Sequence, residues 1–330
     1  SWSRPNHRRK GFHLTMKVLV TGGAGYIGSH IAKIFSDNNS KVVILDDLTN
    51  SNTKRLENLN IDFVEGSIKN PELVSKTLEK VDLVIHCAAY KSVVESEINP
   101  AKYHEVNYYG TNTLLNEMVK KGVNSIIFAS TAAIYGNTVT SPMSESAHPT
   151  PISTYGKTKL KAERLLESYT KNSNIKGISL RFFNAVGAAT NNMADTSTDN
   201  LFPKVFSAIS SKKPAEIYGD DYATPDGSCI RDYIHVQDIA EAHLNIWEYL
   251  KKVQEYKIFN IGTGIGYSVI EIMDSIQKIT GIDLEREVRP RRVGDLAVAF
   301  AETKMITQET GWKARYSLDQ MITSAWDAWR

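Results

Sequence analysis

The sequence predicts an α/β fold: a Rossmann-like, doubly wound parallel sheet followed by a smaller C-terminal substrate-binding domain. From residue 17 to residue 182, short β-branched runs alternate with longer amphipathic segments. Near-continuous apolar strands separated by helices are typical of a parallel sheet that is covered on both faces. A glycine-rich turn, GGAGYIG at 22–28, joins the first strand to the first helix. The alternation ends after Asn184, where the polar stretch 185–200 contains no predicted strand.

Hydrophobic periodicity predicts the order of the elements. Strands are predicted at 17–21, 41–45, 61–64, 81–87, 125–130 and 176–182, and helices at 27–38, 73–80, 107–120 and 155–170. The chain is expected to return to the sheet once or twice, near 230–235 and 257–262. We therefore place a Rossmann domain at 16–184 and a mainly substrate-binding domain at 185–330.

The composition is ordinary for a globular protein, since 42% of the 330 residues are hydrophobic and 23% are charged. The first fifteen residues hold no acid and four cations: Arg4, Arg8, Arg9 and Lys10. Removing these four positive charges from the formal +2 leaves −2, so neither nucleic acid nor a membrane surface is indicated as a partner. The sequence has no run of about 18 apolar residues, the length of a membrane span. Residues 1–15 are interpreted as a tag or upstream tail before Met16, expected to be disordered.

Cysteine usage bears on the cellular compartment. Cys87 and Cys229 are the two cysteines, too few for a disulfide framework in a chain of this length. Buried, reduced thiols fit a reducing environment. We therefore expect a cytoplasmic protein.

The glycine-rich turn is typical of a dinucleotide site. Gly22, Gly25 and Gly28 stand between a strand and a helix, where a backbone without Cβ atoms can turn tightly and approach a pyrophosphate. The helix N-terminus then offers N–H groups and a partial positive charge to the phosphates. Asp46 ends the next strand, eighteen residues beyond Gly28, and suits the adenosine ribose hydroxyls. With no arginine directly after it to accept a 2′-phosphate, NAD is favoured over NADP.

A second pattern, YGKTK at 155–159, is typical of a catalytic base. Tyr155 and Lys159 are four residues apart and so share one face of a helix. An unperturbed phenol has a pKa of about 10, and the charges of Lys159 and an oxidised nicotinamide are expected to lower it. Thr131, at the end of a strand, offers a hydroxyl for the sugar oxygen or, alternatively, a helix N-cap.

Four motifs together resemble the extended short-chain dehydrogenase/reductase family: TGGAGYIGS at 21–29, YGKTK at 155–159, LRFFN at 180–184 and RDYIHV at 231–236. The segments 220–236 and 291–295 more specifically resemble those of the UDP-hexose 4-epimerases in that family. This likeness extends from Met16 to the C-terminus. It implies a domain at 16–184 that binds NAD and a region at 185–330 that binds a UDP-sugar.

The resemblance implies the reaction. Tyr155 removes the proton of the 4-hydroxyl while NAD takes hydride from C4, the 4-keto sugar turns about its pyrophosphate, and hydride returns to the opposite face. NAD is regenerated in each cycle and stays bound. The expected substrates are UDP-glucose and UDP-galactose, and also UDP-GlcNAc and UDP-GalNAc. Relatives form homodimers through the helices at 107–120 and 155–170, although Leu114, Leu115 and Met118 can equally pack on the sheet.

The resemblance also implies the site residues. Tyr155, Lys159 and Thr131 are the expected catalytic residues. The cofactor is expected to contact Gly22, Gly25, Tyr26, Ile27, Gly28, Asp46, Asp47, Leu48, Thr49, Asn50, Ser51, Ser67, Ile68, Cys87, Ala88, Ala89, Tyr90, Lys91, Asn107, Tyr155, Lys159 and Phe183. The UDP-sugar is expected to contact Lys91, Thr131, Tyr155, Phe183, Asn184, Asn200, Leu201, Ile217, Tyr218, Arg231, Arg292, Asp295 and Ala299. No metal is expected, and His86 and His235 are interpreted as packed strand residues.

The chain departs from the family pattern at three positions. Ser67 stands where the family usually has an aspartate that contacts adenine, and Thr131 where relatives often carry serine. Ala299 occupies the position that gates the 2-substituent of the sugar, where a tyrosine excludes an N-acetyl group. Alanine is therefore expected to admit 2-acetamido sugars.

Three other functions remain as alternatives. A 4,6-dehydratase of this scaffold has an Asp-Glu pair after the threonine, where this chain has Ala132-Ala133. A uronate epimerase or decarboxylase needs a cation for the C6 carboxylate, a role open to Lys91. A non-catalytic NAD-binding protein would not need Tyr155 and Lys159.

Overall fold

A computed structural model describes residues 16–292 and 294–330. The tail predicted at residues 1–15 lies outside these residues. Within them, no helix is both long enough and apolar enough to cross a membrane.

The described chain forms β-strands and α-helices with three 3₁₀ turns and one π-helical turn between them. The strands are β1 (Lys17–Thr21), β2 (Lys41–Asp46), β3 (Ile61–Glu65), β4 (Leu83–His86), β5 (Ser125–Thr131), β6 (Lys176–Phe182), β7 (Asn184–Val186), β8 (Ala215–Tyr218), β9 (Ile230–His235), β10 (Lys257–Ile261), β11 (Gly266–Ser268), β12 (Arg286–Arg289) and β13 (Val298–Ala299). The helices are α1 (Tyr26–Asp37), α2 (Pro71–Thr77), α3 (Val93–Ile98), α4 (Pro100–Tyr103), α5 (Thr111–Lys121), α6 (Thr154–Asn172), α7 (Leu201–Ser211), α8 (Val236–Leu250), α9 (Val269–Thr280), α10 (Lys304–Thr310) and α11 (Leu318–Trp329).

Seven parallel strands form the main sheet in the order β10-β6-β5-β4-β1-β2-β3. The order reverses between β1 and β4, because the chain leaves β1 towards β2 and β3 and later returns to β4 on its other side. In such a sheet the carboxyl ends of the strands form a crevice at this switch point. The predicted doubly wound parallel sheet is confirmed.

Helices cover both faces of this sheet, as its near-continuous apolar strands require. On one face, α1 and α8 pack against each other and bury Ile31, Phe35 and Ile246 completely. On the other face, α2, α5 and α6 contribute to a second apolar cluster. Leu114, Leu115 and Met118 of α5 are fully buried in that cluster; they therefore pack on the sheet, as the alternative interpretation expected. The helix predicted at 107–120 is divided, since a π-helical turn, His104–Gly110, precedes α5.

Two smaller sheets lie in the second half of the chain. β9 pairs with β7, β11 and β13, and β8 pairs with β12. Of the two predicted returns to the main sheet, 257–262 is correct and 230–235 is wrong, because β9 is the centre of the second sheet. The stretch 185–200 was expected to contain no strand, yet β7 overlaps its start. Apolar residues of α7, α9 and α11 form the core of this region. The boundary between residues 184 and 185 stays a prediction.

Candidate active site

Most of the residues predicted to bind the cofactor lie at the carboxyl edge of the main sheet. Parallel register places Thr21 beside both Leu45 and His86, so the loops that follow β1, β2 and β4 meet at the switch point. The loop after β1 holds Gly22 and Gly25, the loop after β2 holds 47–51, and the loop after β4 holds 87–91. Ser67 and Ile68 follow β3, and Thr131 ends β5.

The glycine-rich turn separates into glycines that the fold requires and one that it does not. Gly22 has φ +69°, and a Cβ on it would lie 2.6–2.8 Å from the backbone of Cys87 and Ala88. A Cβ on Gly28 would lie 2.3 Å from the Gly22 oxygen. Gly25 has φ −70°, and a Cβ there would meet only the Gly22 oxygen, at 3.2 Å. The residues present therefore fit a pyrophosphate. No packing contact requires a glycine at position 25, but the missing Cβ leaves the N–H groups at the start of α1 accessible to a phosphate.

The carboxylate of Asp46 joins two of these loops. It accepts hydrogen bonds from the Ala24 N–H at 2.9 Å, the Leu48 N–H at 2.9 Å and the Ser51 hydroxyl at 2.7 Å. Its side chain is almost completely buried. In a dinucleotide-binding fold, a carboxylate at the end of the second strand binds the adenosine ribose, and its negative charge disfavours a 2′-phosphate.

Asn107 holds the loop after β4 rather than pointing to an open face. Its side-chain oxygen accepts from the Tyr90 N–H at 2.9 Å, and its amide donates to the Tyr90 carbonyl at 3.0 Å and to Thr158 at 3.2 Å. His86 at the end of β4 is bonded to Thr21 and Thr111. Burial, and then the charge of Lys159, lowers the pKa of His86 to about 3. The interpretation of His86 as a packed residue is confirmed.

Tyr155, Lys159 and Thr131 meet beside this loop. Tyr155 and Lys159 lie on the first turns of α6, whose N-terminus is capped by Ser153. Thr131 accepts a hydrogen bond from the Ala133 N–H at 3.1 Å, so it is an N-cap, and its hydroxyl also bonds to Tyr155. The two interpretations of Thr131 are thus compatible, because one hydroxyl can accept from the backbone and donate to a phenol or a sugar.

The pKa of Tyr155 differs from the expectation. Burial raises it above the ordinary value, and the hydrogen bond with Thr131 lowers it. The protein groups alone therefore do not produce the expected net decrease. Burial also lowers the pKa of Lys159 to about 8, and the neighbouring Cys87 and Glu163 side chains oppose this decrease. The Lys159 ammonium lies 4.3 Å from the centre of the Phe128 ring, an arrangement that favours the charged form.

The residues expected to line the sugar follow β6. Phe183 is nearly buried in a cluster with Tyr135, Met143 and Ala301, against which Ala299 also packs. Asn184 is exposed, and its amide donates to the Asp232 carbonyl at 2.9 Å.

The residues expected to hold UDP form a second group, around β8, β9 and the loop before β13. Arg231 and Asp295 form an ion pair at 3.2 Å, and Arg231 also donates to the Leu296 carbonyl. The Arg292 guanidinium lies 3.8 Å from the centre of the Tyr218 ring. Arginine suits a diphosphate, and a carboxylate suits ribose hydroxyls.

Several expected residues have side chains that contact other parts of the protein, and whether they bind a ligand stays a prediction. Ile68 and Ile217 are buried in apolar clusters, and Leu201 packs against one. The Tyr26 hydroxyl donates to the Gly187 carbonyl at 2.5 Å, and Asn200 donates to Asp195 at 2.6 Å. Lys91 is exposed.

Sequence reasoning missed a buried charged group on the helix that carries Tyr155 and Lys159. Glu163 on α6 is bonded to Ser130 on β5 and to Arg181 on β6. The spacing could have revealed it: Glu163 follows Lys159 by four residues, as Lys159 follows Tyr155, so all three lie on one face of the helix.

The chain was compared with protein families, curated proteins and solved structures. The profile of the NAD dependent epimerase/dehydratase family matches residues 18–262. A UDP-glucose 4-epimerase from Halalkalibacterium halodurans is 40% identical over 319 residues, which cover 94% of this chain and 95% of the relative.

Two solved structures extend the likeness to the whole fold. The crystal structure of a UDP-glucose-4-epimerase from Stenotrophomonas maltophila with bound NAD and formylated UDP-arabinopyranose is 36% identical, has a TM-score of 0.91, and covers 95% of this chain and 98% of that chain. The UDP-Glc/GlcNAc 4-epimerase from Campylobacter jejuni is 36% identical, with a TM-score of 0.83 and coverage of 95% and 99%. The chain therefore belongs to the NAD dependent epimerase/dehydratase family, in which these similar proteins are UDP-glucose 4-epimerases.

Proposed function

We propose that this protein is an NAD-dependent 4-epimerase of UDP-hexoses that accepts both the hydroxyl and the 2-acetamido sugars. The observation that carries the proposal is the meeting of Tyr155, Thr131 and Lys159 at the switch point of the sheet, beside the glycine-rich turn. A base, a hydroxyl and a cation are the groups that reversible oxidation of a secondary alcohol requires.

The protein residues divide the chemistry between them. Tyr155 accepts the proton of the 4-hydroxyl during oxidation and returns it during reduction. The Thr131 hydroxyl, held by the Ala133 N–H, donates to the oxygen that changes charge. Lys159 stabilises the phenolate of Tyr155, which burial alone disfavours. Bound NAD would supply the hydride acceptor and donor, and its oxidised form would add a positive charge that favours the phenolate.

The nucleotide is held apart from the reacting carbon. Arg231, Arg292 and Asp295 are proposed to bind the diphosphate and ribose, while Phe183 and Asn184 line the sugar. Fixing UDP through one group of residues leaves the sugar free to present either face of C4. That freedom is what distinguishes an epimerase from a one-way dehydrogenase.

Ala299 is proposed to determine which sugars enter. It packs against the cluster of Tyr135, Met143, Phe183 and Ala301, on the wall proposed to face the sugar. A tyrosine at this position would extend into the space that a 2-acetamido group needs. The Campylobacter jejuni relative, described as acting on both Glc and GlcNAc forms, is consistent with the broader specificity.

The test is epimerisation of UDP-galactose and UDP-N-acetylgalactosamine in parallel, without added NAD. Conversion of both is expected from the wild-type protein. Ala299→Tyr is expected to lower kcat/KM for the acetamido substrate at least tenfold and to leave UDP-galactose within about threefold, since a steric block of one substituent is worth about 1–3 kcal/mol. Equal loss with both substrates would show that Ala299 does not select the sugar.

The alternatives find less support. Ala132 packs against the apolar cluster beside the sugar wall, and neither it nor Ala133 offers the acid and base of a dehydratase. Lys91 is exposed, so a carboxylate bound there would be strongly hydrated.

We further propose a homodimer in the cytoplasm. Tyr109 and Val119 are exposed apolar residues on the helical stretch that dimeric relatives are expected to pair through, at 61% and 47% exposure. Cys87 and Cys229 are free thiols whose pKa burial raises, which fits a reducing compartment. Sedimentation equilibrium tests the dimer, and a monomer at micromolar concentration would refute it.

A further inference from the structure

A buried carboxylate lies on α6, one turn beyond Lys159. Glu163 accepts hydrogen bonds from the Ser130 hydroxyl at 2.5 Å and from Arg181 at 3.0 Å (Nε) and 2.8 Å (Nη2). The side chains of Glu163 and Arg181 are each 3% exposed. A buried ion pair is weak support for stability, because loss of hydration offsets the attraction. We therefore ask which parts of the fold the Glu163–Arg181 ion pair holds in place.

Glu163 connects the three segments that carry the site. It shares α6 with Tyr155 and Lys159. Ser130 directly precedes Thr131 on β5, and Arg181 lies on β6 two residues before Phe183. One carboxylate thus fixes the spacing between the base, the hydroxyl and the sugar wall.

Glu163 is also a negative charge on α6, four residues beyond Lys159, and it raises the pKa of that lysine. Of the other titratable groups around Lys159 in the described chain, His86 is neutral because burial lowers its pKa to about 3. Cys87 is a neutral thiol because burial raises its pKa to about 12, and burial raises the pKa of Tyr155. None of these three is negative at neutral pH. The Glu163 carboxylate therefore opposes the effect of burial on the Lys159 ammonium.

We propose that Glu163 is a positioning residue for the epimerisation: its negative charge keeps Lys159 protonated, and its bonds to Ser130 and Arg181 hold α6 against β5 and β6. Arg181 compensates the charge of Glu163 and allows it to be buried. The consequence for catalysis rests on the proposed function, whereas the consequence for Lys159 does not.

Two variants separate charge from structure. Glu163→Gln keeps the shape, removes the negative charge and leaves the more distant Arg181 cation uncompensated. In Glu163→Gln/Arg181→Met both charges are absent, so the variant folds without a buried unpaired ion. The protonation midpoint of Lys159 is expected to be highest in the wild type, intermediate in the double variant and lowest in Glu163→Gln. The single substitution is expected to lower it by about one pH unit or more.

The measurement is an NMR pH titration of the protein labelled with ¹³Cε-lysine, after bound NAD is removed. The Lys159 resonance is identified by its absence from Lys159→Arg. Glu167→Gln, one turn further along α6, is the matched control, because the exposed pair of Glu167 with Lys171 lies away from the site. We expect no shift of the Lys159 midpoint in this control.

A kinetic measurement tests the catalytic consequence. Loss of the Lys159 charge removes stabilisation of the phenolate, so kcat is expected to fall at high pH. In Glu163→Gln this alkaline limb is expected to move to lower pH by the shift measured for Lys159. KM at pH 6.5 is expected to stay within about twofold, because Glu163 does not touch the substrate.

The outcomes are distinct. An unchanged or raised Lys159 midpoint in either folded variant would overturn the electrostatic role of Glu163. A lowered midpoint with an unmoved alkaline limb would overturn its part in catalysis. If the wild-type protein shows no epimerisation, the proposed function fails, and the NMR titration still decides the effect of Glu163 on Lys159.

Discussion

Replacing Gly22 and Gly25 separately by alanine would distinguish a structural glycine from a cofactor glycine. At Gly22 an added Cβ meets the backbone of Cys87 and Ala88 at 2.6–2.8 Å, and φ is +69°. The left-handed conformation costs about 1–2 kcal/mol for a residue with a Cβ, and overpacking a rigid contact adds about 1–3 kcal/mol. Gly22→Ala is therefore expected to lower the free energy of unfolding by about 2–5 kcal/mol.

Gly25→Ala is expected to behave differently. Its φ of −70° suits any residue, and its added Cβ has one close contact, at 3.2 Å. Alanine is a poorer N-cap than glycine, so the cost in stability is about 1 kcal/mol. Binding of NAD is expected to weaken at least tenfold, or about 1.4 kcal/mol, because the Cβ stands where the pyrophosphate approaches α1.

Urea unfolding of the NAD-free proteins gives the two stabilities, and chromatography of the nucleotide released on denaturation gives the retained NAD. The expected pattern is an unstable Gly22→Ala and a stable, NAD-poor Gly25→Ala. A Gly25→Ala protein that keeps one NAD per chain would refute the assignment of this turn to the pyrophosphate.

Two further predictions concern single side chains. Tyr155→Phe is expected to lower kcat by about 10²–10⁴ with NAD content unchanged, while Tyr169→Phe, on the same helix, keeps wild-type activity; a Tyr155→Phe enzyme within tenfold of wild type would exclude the phenol as the base. Burial lowers the pKa of His243 to about 4, so this histidine stabilises the fold above pH 6.5 and loses that contribution as the pH falls towards 4, because only the unfolded chain binds the proton. His243 accounts for about 1.4 kcal/mol of the unfolding free energy that the wild type loses between pH 7.5 and pH 5.5. Urea unfolding at the two pH values is therefore expected to show a loss for His243→Leu that is smaller than the wild-type loss by that amount. Equal losses in the two proteins would show that His243 titrates normally.

The sequence predicts the main sheet well because its strands have one local signature. Most are short apolar runs that are buried on both faces, and a buried run is recognisable without knowing its neighbours. The edge strand β3 is the exception, because none of its residues is fully buried. The strand at Ile230–His235 shows the limit of this reasoning. Periodicity identifies it as a strand, but the choice between sheets depends on pairing with Asn184–Val186, a three-residue strand too short to recognise.

In the candidate site, too, features set by local spacing were predicted, and contacts between residues distant in sequence were not. The turn at 22–28, Asp46 and the pair Tyr155/Lys159 were predicted because each chemical role depends on a local spacing. The place of Asn107 under the cofactor stays a prediction, and its hydrogen bonds to Tyr90 and Thr158 were not foreseen. Such contacts join residues distant in sequence, and spacing along the chain does not reveal them.

The pKa of Tyr155 could not be judged from its neighbours in sequence either. A lysine one turn away suggested a lower pKa, but burial of the phenol raises the pKa of Tyr155, and the hydrogen bond with Thr131 is what lowers it. Burial is a property of the folded chain, set by α6 and the loops around it. The same holds for Glu163 and Arg181, which meet only when α6 packs against β6.

In the proposed reaction, hydride leaves C4 of the sugar, is held on bound NAD and returns to C4, and this hydrogen never exchanges with solvent. The most direct measurement is conversion of UDP-galactose in D₂O without added NAD, followed by NMR of C4 in the product. Hydride return predicts UDP-glucose with hydrogen and no deuterium at C4. Deuterium at C4 would show that the carbon exchanges a proton with water, and would contradict oxidation to a 4-keto sugar by a retained dinucleotide.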